Sequence, residues 1–379
     1  MPDNKKHHYV PRFYLKMFSR DQKSVNLFNI PSARKITTAA LKNQCYRDYL
    51  YGKDLELEKG LAMVEAGAAT IIRSIQAAES LTGLTPSDRI TVVVYLLMQH
   101  ARTAYAIDMR DEQTDMFMKY LLGPEMERAG FSKEQLAGVK ITRTNSAQHS
   151  VINATRHYHL LLDLKWKLLK VRDSLEFITS DNPAVFYNQL FSFRRFTSTT
   201  GVAWKGLQIF LPLSPNLLLL LYDGGVYGVG DRRADVVHLT SVRDVEQINR
   251  LQFASALENV YFRNEGFPAL QQFQSSEKYR RKEKAEMKIY PGEVTPEESK
   301  ELVMMSSSDV RTDLDLGVVR LLKPAKEWRN SFQLEKAQPS MVVRDERLLE
   351  LHEEFMRLVD AESYRPDEFF KFLKDKYPE

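Results

Sequence analysis

The sequence predicts an α+β fold, a mixed or antiparallel sheet packed with a helical segment and followed by a largely helical C-terminal tail. Three observations predict it. Apolar residues recur at helical spacing over 57–75, two pairs of strand-like runs at 166–179 and 207–222 are each interrupted by turn residues, and helical spacing returns after residue 344.

Taken in order, the first fifty residues read as strands and turns. Val10 to Leu15 forms an extended or short helical edge, Ser24 to Ile30 roughly alternates with period two, and Pro31 to Arg34 is a turn. From Leu57 the positions Leu61, Val64, Ala68, Ile71, Ile72 and Ile75 share one helical arc. Thr85-Pro86-Ser87-Asp88 is a helix start: Thr85 can cap, Pro86 suits the first helical position, and Asp88 favours the positive end. The helix it opens is expected to reach Tyr105, with further helices at 111–122 and 146–162. Trp166 to Val171 and Leu175 to Thr179 flank Arg172-Asp173-Ser174 as a hairpin, and Leu207 to Leu213 with Leu217 to Tyr222 flank Ser214-Pro215-Asn216 as a second. A helix over 244–257 and a short strand, Val260 to Phe262, follow.

Composition shifts near residue 275, where a charged stretch begins, and Pro291-Gly292 and Ser306-Ser307-Ser308 read as irregular chain. The expected organisation is a 1–275 domain, a charged and partly irregular linker over 276–343, and an acidic helical tail over 344–379. That tail holds seven basic and eleven acidic residues, whereas the whole chain carries a net charge of +4. Such a small excess does not by itself imply nucleic-acid binding. With 379 residues and 43% hydrophobic content the core needs no disulfide, and one cysteine, Cys45, can form none within the chain. No apolar run approaches the roughly 20 residues of a membrane span, so a cytoplasmic protein without a membrane partner is expected.

Two motifs could carry chemistry. His7 and His8 stand together in Lys5-Lys6-His7-His8-Tyr9-Val10-Pro11, and imidazole both ligates metals and moves protons near neutral pH. On a strand their side chains point to opposite faces, so both serve one site only where the backbone turns. The pattern resembles the opening of some His-Asn-His nucleases, but no histidine follows until His100. The second motif, Thr179-Ser180-Asp181-Asn182-Pro183, brings a carboxylate and two small polar side chains to a strand end, an arrangement suited to metal or phosphate and equally to an ordinary turn. Glu65 and Arg102 border the apolar stripes of consecutive helices and could meet as an ion pair if those helices pack; Gln99 lies further round the second.

Together the His7–Leu15 segment, Gln99 to Thr103, Phe177 to Pro183 and Phe210 to Pro215 resemble a bacterial family known as domain of unknown function 4238, over roughly residues 5 to 265. The resemblance implies a mixed α and β domain and a bacterial source, and it transfers no activity.

The expectation for function is a metal-dependent, nuclease-like hydrolase acting on a phosphodiester of a nucleic acid or nucleotide. His8, Glu65 and Asp181 would hold one Mg²⁺, Mn²⁺ or Zn²⁺, with His7 an alternative imidazole and Glu65 an alternative base. Arg102 would hold phosphate, and Gln99, Ser180 and Asn182 would complete the substrate contacts. The alternative is a non-enzymatic binding or regulatory protein, such as a component of phage defence or a toxin system, whose acidic tail docks a protein partner.

Overall fold

A computed structural model describes residues 5–378 apart from 53–55, 173, 195–197, 269–272, 274–275, 281–284, 296–297, 308 and 335–340. The chain begins with β1 (Lys6–His8), α1 (Arg12–Lys16), β2 (Ser24–Asn29), β3 (Arg34–Ala40) and β4 (Tyr46–Asp48). Five helices follow: α2 (Glu56–Ala78), α3 (Pro86–Ala101), α4 (Ala104–Arg128), α5 (Lys133–Gly138) and α6 (Ser146–Thr155). Next come β5 (Lys165–Val171), β6 (Thr179–Ser180), β7 (Val185–Tyr187), β8 (Gln208–Ser214), β9 (Leu217–Tyr222), β10 (Tyr227–Val229), β11 (Val236–Leu239), α7 (Val242–Ser255) and β12 (Asn259–Phe262). The remainder is β13 (Ala285–Thr295), β14 (Glu298–Ser307), β15 (Val319–Leu321), α8 (Lys323–Leu334), α9 (Glu346–Asp360) and α10 (Phe369–Lys376). The fold is α+β.

A five-stranded sheet in the order β11-β5-β9-β8-β7 divides the interior, and all its pairings are antiparallel except β11 with β5. Its central strand β9 reads Leu-Leu-Leu-Leu-Leu-Tyr because both faces are covered. Leu217, Leu219 and Leu221 face a core built with α1, α2, α3 and α6. Leu218 and Leu220 face a second core, to which α7 contributes Val245, Ile248 and Leu251. Each such buried leucine contributes about 1.5–3 kcal/mol relative to exposure. A second sheet, β3-β2-β12-β6, brings the chain start beside the Thr179-Ser180 segment through β12.

Several local expectations hold. Thr85 and Asp88 form a reciprocal capping box ahead of α3, with Pro86 at the first helical position. The β8–β9 hairpin turns at Ser214 to Leu217 as its residues predict.

Three do not. The helix from Pro86 stops at Ala101, because Thr103 turns extended and its hydroxyl accepts the Ala106 N–H to cap α4. The first expected hairpin does not form: β5 pairs with β9 and β11, while β6 crosses into the other sheet against β12. There Phe177 donates its N–H to the Pro215 carbonyl and Ile178 to the Asn249 side chain; Asp173 lies outside the described residues.

The chain expected as linker and tail makes contacts with the body. Residues 274–275, 281–284 and 308 lie outside the described residues, but β13 and β14 pair with a register shift between Pro291 and Val294, and β15 pairs with β10. At the head of the tail, Arg344 holds Asp163 and the carbonyls of Leu160, Val202 and Trp204. Phe355, Val359, Phe369 and Phe372 of α9 and α10 then enter the first core. The apolar stripes of these helices are occupied within the chain.

Candidate functional site

Strand alternation separates the two histidines. β1 pairs with β4 in the register His7 to Arg47 and His8 to Tyr46, so Lys6 and His8 share one face and His7 takes the other. His7 is buried, stacked on the Tyr51 ring at 5.5 Å between centroids. The Tyr51 N–H donates to its Nδ1 at 3.1 Å, which leaves the proton on Nε2, 3.4 Å from Glu58 Oε2. His7 thus acts as a brace between the chain after β4 and the start of α2.

His8 is set up in the opposite sense. Its Nδ1 lies 2.9 Å from the Gln44 carbonyl, which can only accept, so Nδ1 carries the proton and the Nε2 lone pair is available. Burial lowers its pKa below the ordinary 6.5, assisted by the charges of Arg12 and Lys6 and opposed by the Gln44 carbonyl and Glu65. The imidazole is therefore neutral at pH 7. It lines a cleft of about 470 Å³ between the N-terminal segment and α2.

Lys6, Arg12 and Lys42 bring positive charge to that cleft, and Glu58 and Glu65 bring negative charge from α2, two turns apart on one face. Tyr51 contributes a phenol: burial pushes its pKa up to about 12, opposed by the nearby Arg102 guanidinium, so it stays a neutral donor.

Beneath the cleft runs a polar chain. The Arg102 side chain is fully buried and donates through Nη1 to Glu65 Oε1 at 2.6 Å. Through Nε and Nη2 it donates to Gln99 Oε1 at 3.2 and 2.8 Å, and Gln99 Nε2 donates to the Tyr9 carbonyl at 2.9 Å. This chain pins the segment carrying His8 to α2 and α3. It also consumes Arg102 and Gln99, neither of which lines the cleft. Their expected substrate contacts are corrected to a positioning role.

Asp181 is likewise spent on structure. It is 2% exposed, and its two oxygens accept the backbone N–H groups of Leu257, Glu258 and Asn259 at 2.8, 2.7 and 2.9 Å, closing the turn between α7 and β12. Burial pushes its pKa up to about 6 against those three bonds. Ser180 Oγ donates to Gln252 Oε1, and Asn182 Nδ2 donates to the Ser255 carbonyl. The Thr-Ser-Asp-Asn-Pro motif is thus a clasp on α7.

These placements undo the expected ligand set of His8, Glu65 and Asp181. Only His8 and Glu65 face the cleft, Asp181 offers no uncommitted oxygen, and Glu65 Oε1 is held by Arg102. Among the described residues no group of three His, Cys, Asp or Glu is arranged to hold a metal ion.

A model of a family described as protein of unknown function, DUF4238, matches residues 6–266. The chain belongs to that family. No curated protein and no solved structure matches it. In this DUF4238 protein the family region begins at β1 and ends just past β12, so it contains the cleft and the clasp but not α8, α9 or α10. No helix among the described residues is long and apolar enough to cross a membrane.

Sequence reading missed Lys6, Arg12 and Lys42 as cleft residues. Lys6 was within reach, since period two places it on the face of His8. Lys42 was not, because it arrives from the turn after β3 through contacts distant in sequence.

Proposed function

We propose that the cleft beside His8 binds a phosphodiester, from a nucleotide or nucleic acid, and hydrolyses it with His8 as general base. One observation carries this reading: Gln44 fixes a neutral imidazole whose Nε2 lone pair is available in a cleft that three cations enter. As the water oxygen bonds to phosphorus and the bond to the leaving oxygen breaks, Nε2 takes the water's proton, Glu65 stabilises the imidazolium that results, and the imidazolium gives up that proton as the departing alkoxide is protonated. Lys6, Arg12 and Lys42 offset charge on the phosphate oxygens. Glu65 repels a phosphate less than a free carboxylate would, because Arg102 already balances it.

The test is hydrolysis of RNA, DNA and dinucleotide substrates by wild type and His8→Asn, with and without added Mg²⁺, Mn²⁺ or Zn²⁺. Asparagine keeps a donor for the Gln44 carbonyl and lacks the Nε2 base. A loss of about 10²–10⁴-fold with unchanged melting temperature is expected. Equal turnover by both proteins contradicts the assignment. The rival reading, a protein that binds without turnover, draws support from the structural use of Asp181, Ser180, Asn182, Gln99 and Arg102; phosphodiester binding without hydrolysis by wild type would favour it.

A further inference from the structure

A second cavity, of about 440 Å³, lies between α4 and α6, and no acidic residue is among those that line it. Arg110 on α4, Arg156 just past the end of α6 and Arg143 on the chain ahead of α6 converge there. Three guanidiniums facing one space repel one another, and the Arg110 pKa is lowered by burial and by the Arg143 charge. The Nε atoms of Arg110 and Arg156 are buried and make no hydrogen bond. Folded proteins seldom leave such donors unmet.

The walls add a second kind of contact. Phe117, two turns along α4 from Arg110, and Ile152 on α6 are 38% and 51% exposed, and Met305 of β14 also lines the space. Beyond Ile107, α4 has no buried residue, so this long stretch of helix is not occupied as a core element. The cavity is therefore lined by three cations and by apolar groups from both helices.

We propose that this cavity binds a phosphorylated small molecule of nucleotide size, its phosphates on Arg110, Arg143 and Arg156 and its planar ring against Phe117 and Ile152. Guanidinium suits phosphate because its planar fork gives paired charge-assisted hydrogen bonds, and an aromatic wall suits a flat ring. The volume falls within the range of small-ligand sites. Asp360 of α9 holds Arg156 Nη2 at 2.5 Å from a mostly exposed position, so an incoming phosphate competes with it for that arginine.

Titration calorimetry of the full chain with ADP, pyrophosphate, adenosine and a short single-stranded oligonucleotide tests the assignment. ADP is expected to bind, pyrophosphate more weakly and adenosine weakest, with affinity falling as salt rises. Arg143→Gln, at an exposed position suited to substitution, should weaken ADP at least tenfold, as should Arg110→Gln. Phe117→Ala should bring ADP down to the level of pyrophosphate, and Asp360→Asn should tighten it several-fold. Lys42→Gln, which removes a phosphate-facing cation from the His8 cleft, should leave ADP binding intact, and that separates this site from the cleft. The proposal is overturned if ADP does not bind, if it binds equally to the Arg143→Gln and Arg110→Gln proteins, or if only the oligonucleotide binds, which would make the cavity part of a nucleic-acid track.

Discussion

Arg102 Nη1 donates to Glu65 Oε1 across 2.6 Å from a fully buried position, and the same guanidinium grips Gln99. A buried cation of this kind is tolerated only while its partners remain. Arg102→Met removes the charge yet leaves Glu65 and Gln99 facing an apolar side chain, and Glu65→Ala strands the guanidinium. Chemical denaturation should show a loss of about 3–5 kcal/mol for Glu65→Ala, the usual cost of breaking a buried pair from one side. Glu65→Gln, which keeps a hydrogen-bond acceptor, should lose less. Equal stability of wild type and Glu65→Ala would show that the pair does not support the fold.

Asp181 should behave as a clasp and not as a catalyst. Asp181→Asn keeps one acceptor oxygen and replaces the other with an NH₂ group facing backbone donors, so a loss of about 2 kcal/mol or more is expected in denaturant. Per folded molecule, phosphodiester turnover should match wild type. Abolished turnover in a protein that remains folded at the assay temperature would return Asp181 to the chemistry.

A chain of three imidazoles sets a pH limit on the docking of the C-terminal helices. His352 of α9 contacts His157 at 3.1 Å and His159 at 2.6 Å, and His159 stacks on Phe369 of α10. Burial lowers the pKa of His159 to about 3, helped by the charges of the other two imidazoles, and that of His352 to about 4, helped by His157. The unfolded chain therefore binds more protons than the folded one between those values and the ordinary 6.5, and stability rises with pH across that window. Their contribution is complete above about 6.5 and is lost as pH falls toward about 4. Asp181 acts the other way: with a folded pKa of about 6 against an ordinary 3.8, its contribution is present at low pH and lost as pH rises through about 6. The melting temperature of His352→Leu should accordingly fall less than that of wild type between pH 6.5 and pH 4.5. Parallel pH curves for the two proteins would contradict the assignment.

Local chemistry was readable from the sequence where neighbours in the chain decide the outcome. The Thr85 and Asp88 cap, the five consecutive leucines of β9 and the meeting of Glu65 with Arg102 follow from spacing and residue type. Choices among distant partners were not. Leu175 to Ser180 carries a strand's composition, but its pairing with β12 instead of β5 is decided by the Pro215 carbonyl and the Asn249 side chain. The Arg102-Thr103 break between α3 and α4 has no glycine or proline to announce it. Within the candidate site, His8 and Glu65 reach one cleft, whereas Asp181 gave the same chemical signal and was claimed by three backbone donors from a turn more than seventy residues away.

The central claim is that His8 offers a neutral Nε2 lone pair to the cleft. Imidazole ¹⁵N shifts of the folded protein at pH 7, assigned by comparison with His8→Asn, measure this directly. A protonated Nδ1 and an unprotonated Nε2, titrating below the ordinary 6.5, are the predicted result. A proton on Nε2, or a fully protonated ring at pH 7, would contradict the account and leave the cleft without its base.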